Sequence, residues 1–197
     1  INGGGGATPA FAKGAITQVV PGTSVTVNGT AIATTGASVS IDGVTGATTD
    51  LKVGQVVNVQ GTVNTAGAVT ATSLSVAIEL EGPVTANSIN LANLTFEVLG
   101  QTVFINGSTV FDNSSLPNGF ASLAANDVVE VGGFRNTAGN LVATRIEKRT
   151  GAAGPFEVNG TSSNLYTAAS TFNLGSLVVS YSGAVITNGS IAANACV

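Results

Sequence analysis

An all-β chain of tandem small five-stranded barrels, with the third barrel incomplete, is what this sequence predicts. Three observations carry that expectation. Residues branched at Cβ and glycine are abundant together. A block of sequence recurs 72 residues further on. The last repeat stops about halfway.

The 197 residues include 26 Gly, 26 Val and 25 Thr. Val and Thr have restricted χ1 and suit a pleated strand better than a helix. Glycine supplies the positive-φ positions of tight turns. The combination reads as many short strands joined by tight turns. Only 8% of the residues are charged, against roughly 25% in typical soluble domains. Thr, Ser, Asn, Gly and Ala must therefore cover the surface, as they commonly do in secreted and fibre-forming proteins.

Taken in order, residues 1–10 (Ile1-Asn-Gly-Gly-Gly-Gly-Ala-Thr-Pro-Ala10) read as a flexible Gly-rich tether. The chain opens on Ile rather than Met, and the expectation is a processed, exported chain at the cell surface or outside the cell. No run of 18 apolar residues occurs, so no membrane-spanning helix is expected.

Repeat one spans 11–80, repeat two 81–150, and a partial repeat three 151–197. The stretch Leu51–Ser75 aligns without a gap on Leu123–Glu147, with eleven of the 25 positions identical. Each copy reads as a β-hairpin. Val57 and Val59 alternate with polar neighbours, as do Val129 and Val131. Asn64-Thr-Ala-Gly67 and Asn136-Thr-Ala-Gly139 turn the chain. Val69, Ala71 and Leu74 form one return strand, and Leu141, Ala143 and Ile146 the other. The start of the unit recurs as Lys13-Gly14-Ala15-Ile16, Glu81-Gly82-Pro83-Val84 and Ala153-Gly154-Pro155-Phe156. Behind each start lies a strand running into a Gly turn: Val25–Gly29, Phe96–Gly100 and, in repeat three, Val179–Gly183. Repeat three holds nothing like the hairpin at 51–75 or 123–147. An unfinished β-module leaves strand edges open, and something must complete them.

The order of a long strand, a Gly turn, further strands and a terminal hairpin resembles a five-stranded OB-type barrel. It is also similar to the secreted bacterial repeats catalogued as domain of unknown function 5666. The residues that carry the likeness are Gly14-x-Ile16, Leu51-x-Val-Gly54-x-Val-Val-x-Val59-x-Gly61 and Gly67-x-Val-x-Ala71-Thr. In repeat two they are Gly82-x-Val84, Leu123-x-x-x-Asp127-Val-Val-Glu-Val131-x-Gly133 and Gly139-x-Leu-x-Ala143-Thr-x-Ile146-Glu. The resemblance implies export and a β-barrel, and brings no catalytic residue with it.

The chemistry available is limited. With no His, no His-based triad or His-ligated metal is possible; one Cys makes no intrachain disulfide. A pI near 4.5 with six basic residues argues against a nucleic-acid partner. Arg145, Lys148 and Arg149 cluster, and are read as a solvated strand end salted by Glu130 and Glu147. The ten carboxylates are scattered, and the spacing of Glu79 and Glu81 forms no catalytic or calcium-loop pattern. No catalytic, cofactor-binding or metal-ligating residue is expected, and the chain is read as a non-enzyme. Six Asn-x-Ser/Thr sequons (Asn28, Asn93, Asn106, Asn113, Asn159, Asn188) are read first as turn chemistry. Cys196 has two readings, an intermolecular disulfide or a small buried apolar residue.

The expected function is structural: an extracellular filament or surface-fibre subunit that polymerises with itself head-to-tail by strand complementation. Leu177, Val179, Tyr181, Val185 and Ile191 are the expected subunit-interface residues. The donor strand is sought in Phe11–Val20 or in the C-terminal segment. The alternative is a cell-surface binding module for a glycan or another extracellular partner, with Tyr166 or Tyr181 lining a groove.

Overall fold

The computed structural model describes residues 8–150, 155–187 and 189–197. Residues 1–7, Ala153-Gly154 at the start of repeat three, and the sequon residue Asn188 lie outside them. Thr8–Ala10, expected to belong to the flexible tether, instead begin the first strand because they pair with Gly61–Val63. The chain divides into two compact units, Ile1–Ile78 and Glu79–Val197.

The first unit is repeat one. Its strands are β1 (Thr8–Val20), β2 (Ser24–Val27), β3 (Thr30–Ala33), β4 (Ser38–Ile41), β5 (Val44–Gly46), β6 (Val56–Val63) and β7 (Val69–Val76). β1 is long enough to serve two neighbours. Residues 8–15 pair with β6, and residues 16–20 pair with β2 across an irregularity between Ile16 and Gln18. β2 continues into β3, β3 runs parallel to β7, and β7 returns antiparallel to β6. The ring β1-β2-β3-β7-β6 is thereby closed, which removes the edges a flat sheet would leave. The β4–β5 hairpin adds to β7 beyond β3. Ile16, Val25, Val27, Ile32, Val57, Val59, Ala71 and Leu74 fill the interior. The hairpin valines expected to alternate inward do so.

The second unit holds repeats two and three. Repeat two contributes β8 (Leu80–Pro83), β9 (Thr95–Val98), β10 (Gln101–Phe104), β11 (Val110–Phe111), β12 (Val128–Arg135) and β13 (Leu141–Lys148). The pairings follow those of repeat one: β9 with β10, β10 parallel to β13, β13 with β12 and β12 with β8. This ring is a half-barrel. Between β8 and β9 it is joined by the Val84–Val98 bridge and by the Thr85 N–H donating to the Glu97 carbonyl at 2.7 Å. Its core is built on Leu80, Val84, Phe96, Val98, Val103, Val129, Val131, Leu141 and Ile146.

Both long hairpins turn as the sequence predicts. The Asn64 Oδ1 accepts the N–H groups of Ala66 and Ala68, at 2.9 and 3.0 Å. The Asn136 Oδ1 accepts those of Ala138 and Asn140, both at 3.0 Å. Gly67 and Gly139 then adopt φ of 82° and 83°.

Repeat three supplies β14 (Glu157–Val158), β15 (Ser162–Tyr166), β16 (Thr171–Leu174) and β17 (Leu177–Ser180). β14 pairs antiparallel with β8 on the edge away from β12. β15, β16 and β17 form a separate three-stranded antiparallel sheet. One alignment expected from sequence is corrected here. The turn equivalent to Gly29 and Gly100 is not at Gly183. The β16–β17 hairpin turns at Gly175-Ser176, with Gly175 at φ 57° and Leu174 paired directly with Leu177. Phe172 and Leu174 thus occupy the places of Val25 and Val27, and of Phe96 and Val98. A Gly turn recurs every few residues in this region, so spacing alone selected the wrong one.

Candidate functional site

The feature that sets the third sheet apart is its outer edge. β17 follows the β16 turn as β3 follows β2 and β10 follows β9. In repeat one the outer edge of β3 receives β7 in parallel, with Ile32 beside Val69. In repeat two β10 receives β13 in the same way, with Val103 beside Leu141. The matching residue of β17 is Val179. Among the described residues β17 pairs with β16 alone. At the place where Val69 and Leu141 lie beside their partners, the third sheet has an open slot next to Val179, with no strand there among the described residues.

The interior behind that slot is half built. Phe172 and Leu174 are the buried hydrophobic residues of the three strands. Ile32 and Val103 are buried at their positions, whereas Val179 is only half-buried. In repeats one and two the inward residues of the hairpin, such as Ala71 and Leu74 or Ala143 and Ile146, cover this space. In repeat three the space is a groove of about 460 Å³.

The residues singled out from sequence are distributed as follows. Val179, Tyr181, Val185, Ile191 and Cys196 all line the groove; Leu177 belongs to β17 but does not. The Tyr181 ring lies 6.0 Å from that of Phe172, and its N–H donates to the Ser170 carbonyl at 2.9 Å. Val185 is 89% exposed. Cys196 is exposed as a free thiol. Phe172, which sequence reasoning missed, also lines the groove, as does Ile186 within the expected stretch Val185–Ile191; Val178, within the expected stretch Leu177–Tyr181, is exposed on β17. The alternation Phe172-x-Leu174 carried the signal for the first of these. The suggested donor Phe11–Val20 is corrected by its place in β1. Ile16 is buried in the first barrel, and residues 16–20 hold β2. That segment cannot leave without opening the barrel.

The other edge of the sheet is partly covered by the C-terminal residues. Ser162 and Ala195 pair through the Ser162 N–H at 2.8 Å, and Gly160 and Val197 exchange two bonds of 2.9 Å. The Ser162 hydroxyl, fully buried, donates to the Ala192 carbonyl and accepts the Ala195 N–H.

A second concavity, of about 420 Å³, lies where repeat two meets the third sheet. The Arg135 guanidinium crosses it. Its Nη1 donates to the Gln101 Oε1 at 3.2 Å and to the Gly139 carbonyl at 2.8 Å, and its Nη2 to the Asn159 carbonyl. The buried Gln101 amide donates to the Leu174 carbonyl at 2.6 Å, and Ser176 Oγ to the Gly100 carbonyl at 2.8 Å. No aromatic ring lines this cleft.

The basic cluster is engaged with carboxylates. Arg145 meets Asp112 and Glu147, Lys148 meets Asp127, and Arg149 meets Glu130 and Glu81. Among the described residues no group of three His, Cys, Asp or Glu side chains is placed to hold a metal. No helix among them is long and apolar enough to cross a membrane.

No curated protein and no solved structure matches the chain. The sequence profile described as Domain of unknown function (DUF5666) matches it twice, over residues 13–75 and 81–147. Those limits fall on the closed barrel and the half-barrel and exclude the third sheet. Two matches covering most of the chain, on two barrels of the same strand order, place this protein in the DUF5666 family.

Proposed function

We propose that this chain is a non-enzymatic extracellular structural protein, a filament or surface-fibre subunit that polymerises head-to-tail by β-strand complementation. The observation that carries the reading is the unpaired outer edge of β17, at the position where both preceding repeats receive a hairpin strand. Such an edge presents main-chain N–H and C=O groups in register for an added strand, with side-chain slots that set the fit. The composition supports it. Residues 158–197 contain no charged side chain, so this edge lacks the lysines and inward charges that usually block pairing. A low surface charge also suits the extracellular setting.

The test is electron microscopy of the purified protein at several concentrations. Regular filaments are expected from the full chain. Removing residues 176–197 should abolish them, and so should Val178→Lys, which places a charge on an exposed position of the edge strand without touching the core. Filaments from both variants would refute the reading.

A glycan-binding module is the second reading, favoured by the polar cleft at Arg135. Its walls carry hydrogen-bonding groups but no ring on which a sugar face could stack. Titration against a glycan array tests it.

A further inference from the structure

We propose that the strand completing the β17 edge is the N-terminal arm of a second copy, Thr8–Ala12, anchored by the Phe11 ring in the groove of the third sheet. This names the partner in the assembly reading above and rests on it.

The arm is the first part of β1, ahead of the residues that hold β2. It lies beside the end of β6, from Thr8 opposite Val63 to Ala12 opposite Val59. Repeat two lacks a counterpart. There β8 pairs with β12 only over Val128–Val131, and Gly132–Arg135 pair with β13 alone. Repeat two nevertheless builds a full core behind that uncovered stretch. The family profile also begins at residue 13, just after the arm. Releasing Thr8–Ala12 forfeits five of the eight residue pairs that β1 makes with β6 and the packing of Ala12 against the core, while Lys13–Ala15 stay paired with β6 and Ile16 with β2.

Phe11 is the reason for the arm to move. Its side chain is 77% exposed, the most exposed aromatic ring among the described residues. Burying an aromatic ring of this size removes roughly 150–250 Å² of surface from water. The third sheet offers a matching apolar groove of about 460 Å³ between Phe172, Val179, Tyr181, Val185, Ile186 and Ile191. The two surfaces also agree in charge. Residues 1–12 and residues 158–197 carry no charged side chain, so no side-chain ion has to be stripped of water when they meet. Pro9 has no N–H to donate, which confines the new ladder to Ala10–Ala12 and leaves Phe11 as the main anchor. Arm and groove are different surfaces, so the contact is heterologous and repeats from copy to copy.

The experiment uses full-length Phe11→Asp and full-length Val185→Asp. Both positions are exposed, so each variant should keep the circular dichroism of the parent. By electron microscopy and sedimentation, the parent should form filaments and each variant alone should stay dispersed. An equimolar mixture should form 1:1 complexes that grow no further, because one variant keeps the groove and the other keeps the arm. Filaments from Phe11→Asp equal to those of the parent would overturn the arm as donor. If the chain lacking 176–197 is dispersed at the same time, the assembly reading still stands. A mixture that remains monomeric also counts against the pairing, and a parent that never polymerises overturns both proposals.

Discussion

The Ala-Thr dipeptide that recurs as Ala71-Thr72 and Ala143-Thr144 marks a β-bulge. Gly61 pairs with Ala71 and Gln60 with Ser73, so Thr72 is an extra residue on its strand. Thr144 is the extra residue between Ala143 and Arg145. The threonine hydroxyls donate across the bulge to the Gln60 and Gly132 carbonyls, both at 3.2 Å. The bulge explains why the buried return residues are spaced Ala71 to Leu74 and Ala143 to Ile146, three apart instead of two. It also explains the opposing glycines. A Cβ on Gly61 would run into the Thr70 carbonyl, and one on Gly133 into the Val142 carbonyl, both backbone groups that cannot swing away. Gly133→Ala should therefore destabilise the second unit by about 1–3 kcal/mol, the usual range for overpacking. Urea unfolding followed by circular dichroism checks it, and an unchanged midpoint would show that the bulge absorbs the methyl group.

At the scale of elements, a small polar cluster joins the third sheet to repeat two. Gln101 sits on β10, largely buried, and reaches both the Leu174 carbonyl and Arg135. Gln101→Ala should leave the Leu174 carbonyl buried without its donor, at a cost of about 1–3 kcal/mol. The loss should be local. Amide hydrogen exchange is expected to accelerate on β16 and β17 while β12 and β13 stay protected. Equal acceleration on all four strands would mean that the third sheet and the half-barrel open as one. The sequons at Asn28, Asn106 and Asn159 give a mixed picture. Asn106 accepts the Ser108 N–H in a turn and Asn159 donates to Glu157, while in the first unit Asn28 donates to the Lys13 carbonyl. Asn28-Gly29 and Asn106-Gly107 fall at turns, as the turn reading expects, and Asn159-Gly160 does not.

For the whole molecule, the informative contrast is among three repeats of one plan completed to different degrees. The first is a closed ring with its own core, the second a half-barrel with its own core, and the third a sheet with two buried hydrophobic residues. A fragment of residues 1–78 should accordingly fold alone and unfold in one cooperative transition, since its interior is complete without the rest of the chain. Calorimetry of the fragment checks this, and a broad, non-cooperative melt would count against it. The third repeat is where assembly would draw on the fold, because among the described residues β17 has no strand at the place that β7 and β13 fill in the other two repeats.

Much of this was legible from residue order. The abundance of Val, Thr and Gly implied short strands and tight turns, and the 72-residue offset implied two equivalent hairpins with identical Asn-to-Gly turns. Those features are local: φ of a turn glycine and alternation along a strand depend on neighbours a few residues away. That residues 151–197 hold no match to the two hairpins was also readable. Tertiary structure decided the rest. Whether a ring closes depends on pairings between residues far apart, such as β3 with β7, which periodicity does not register. The bulge at Thr72 and Thr144 shifted the inward face partway along a strand, and the true third turn lay at Gly175, not at Gly183. The groove is a further step removed. Phe172, Val185 and Ile191 come together only after the chain has folded back around β17, and an unpaired edge exists only relative to the strand that would have filled it.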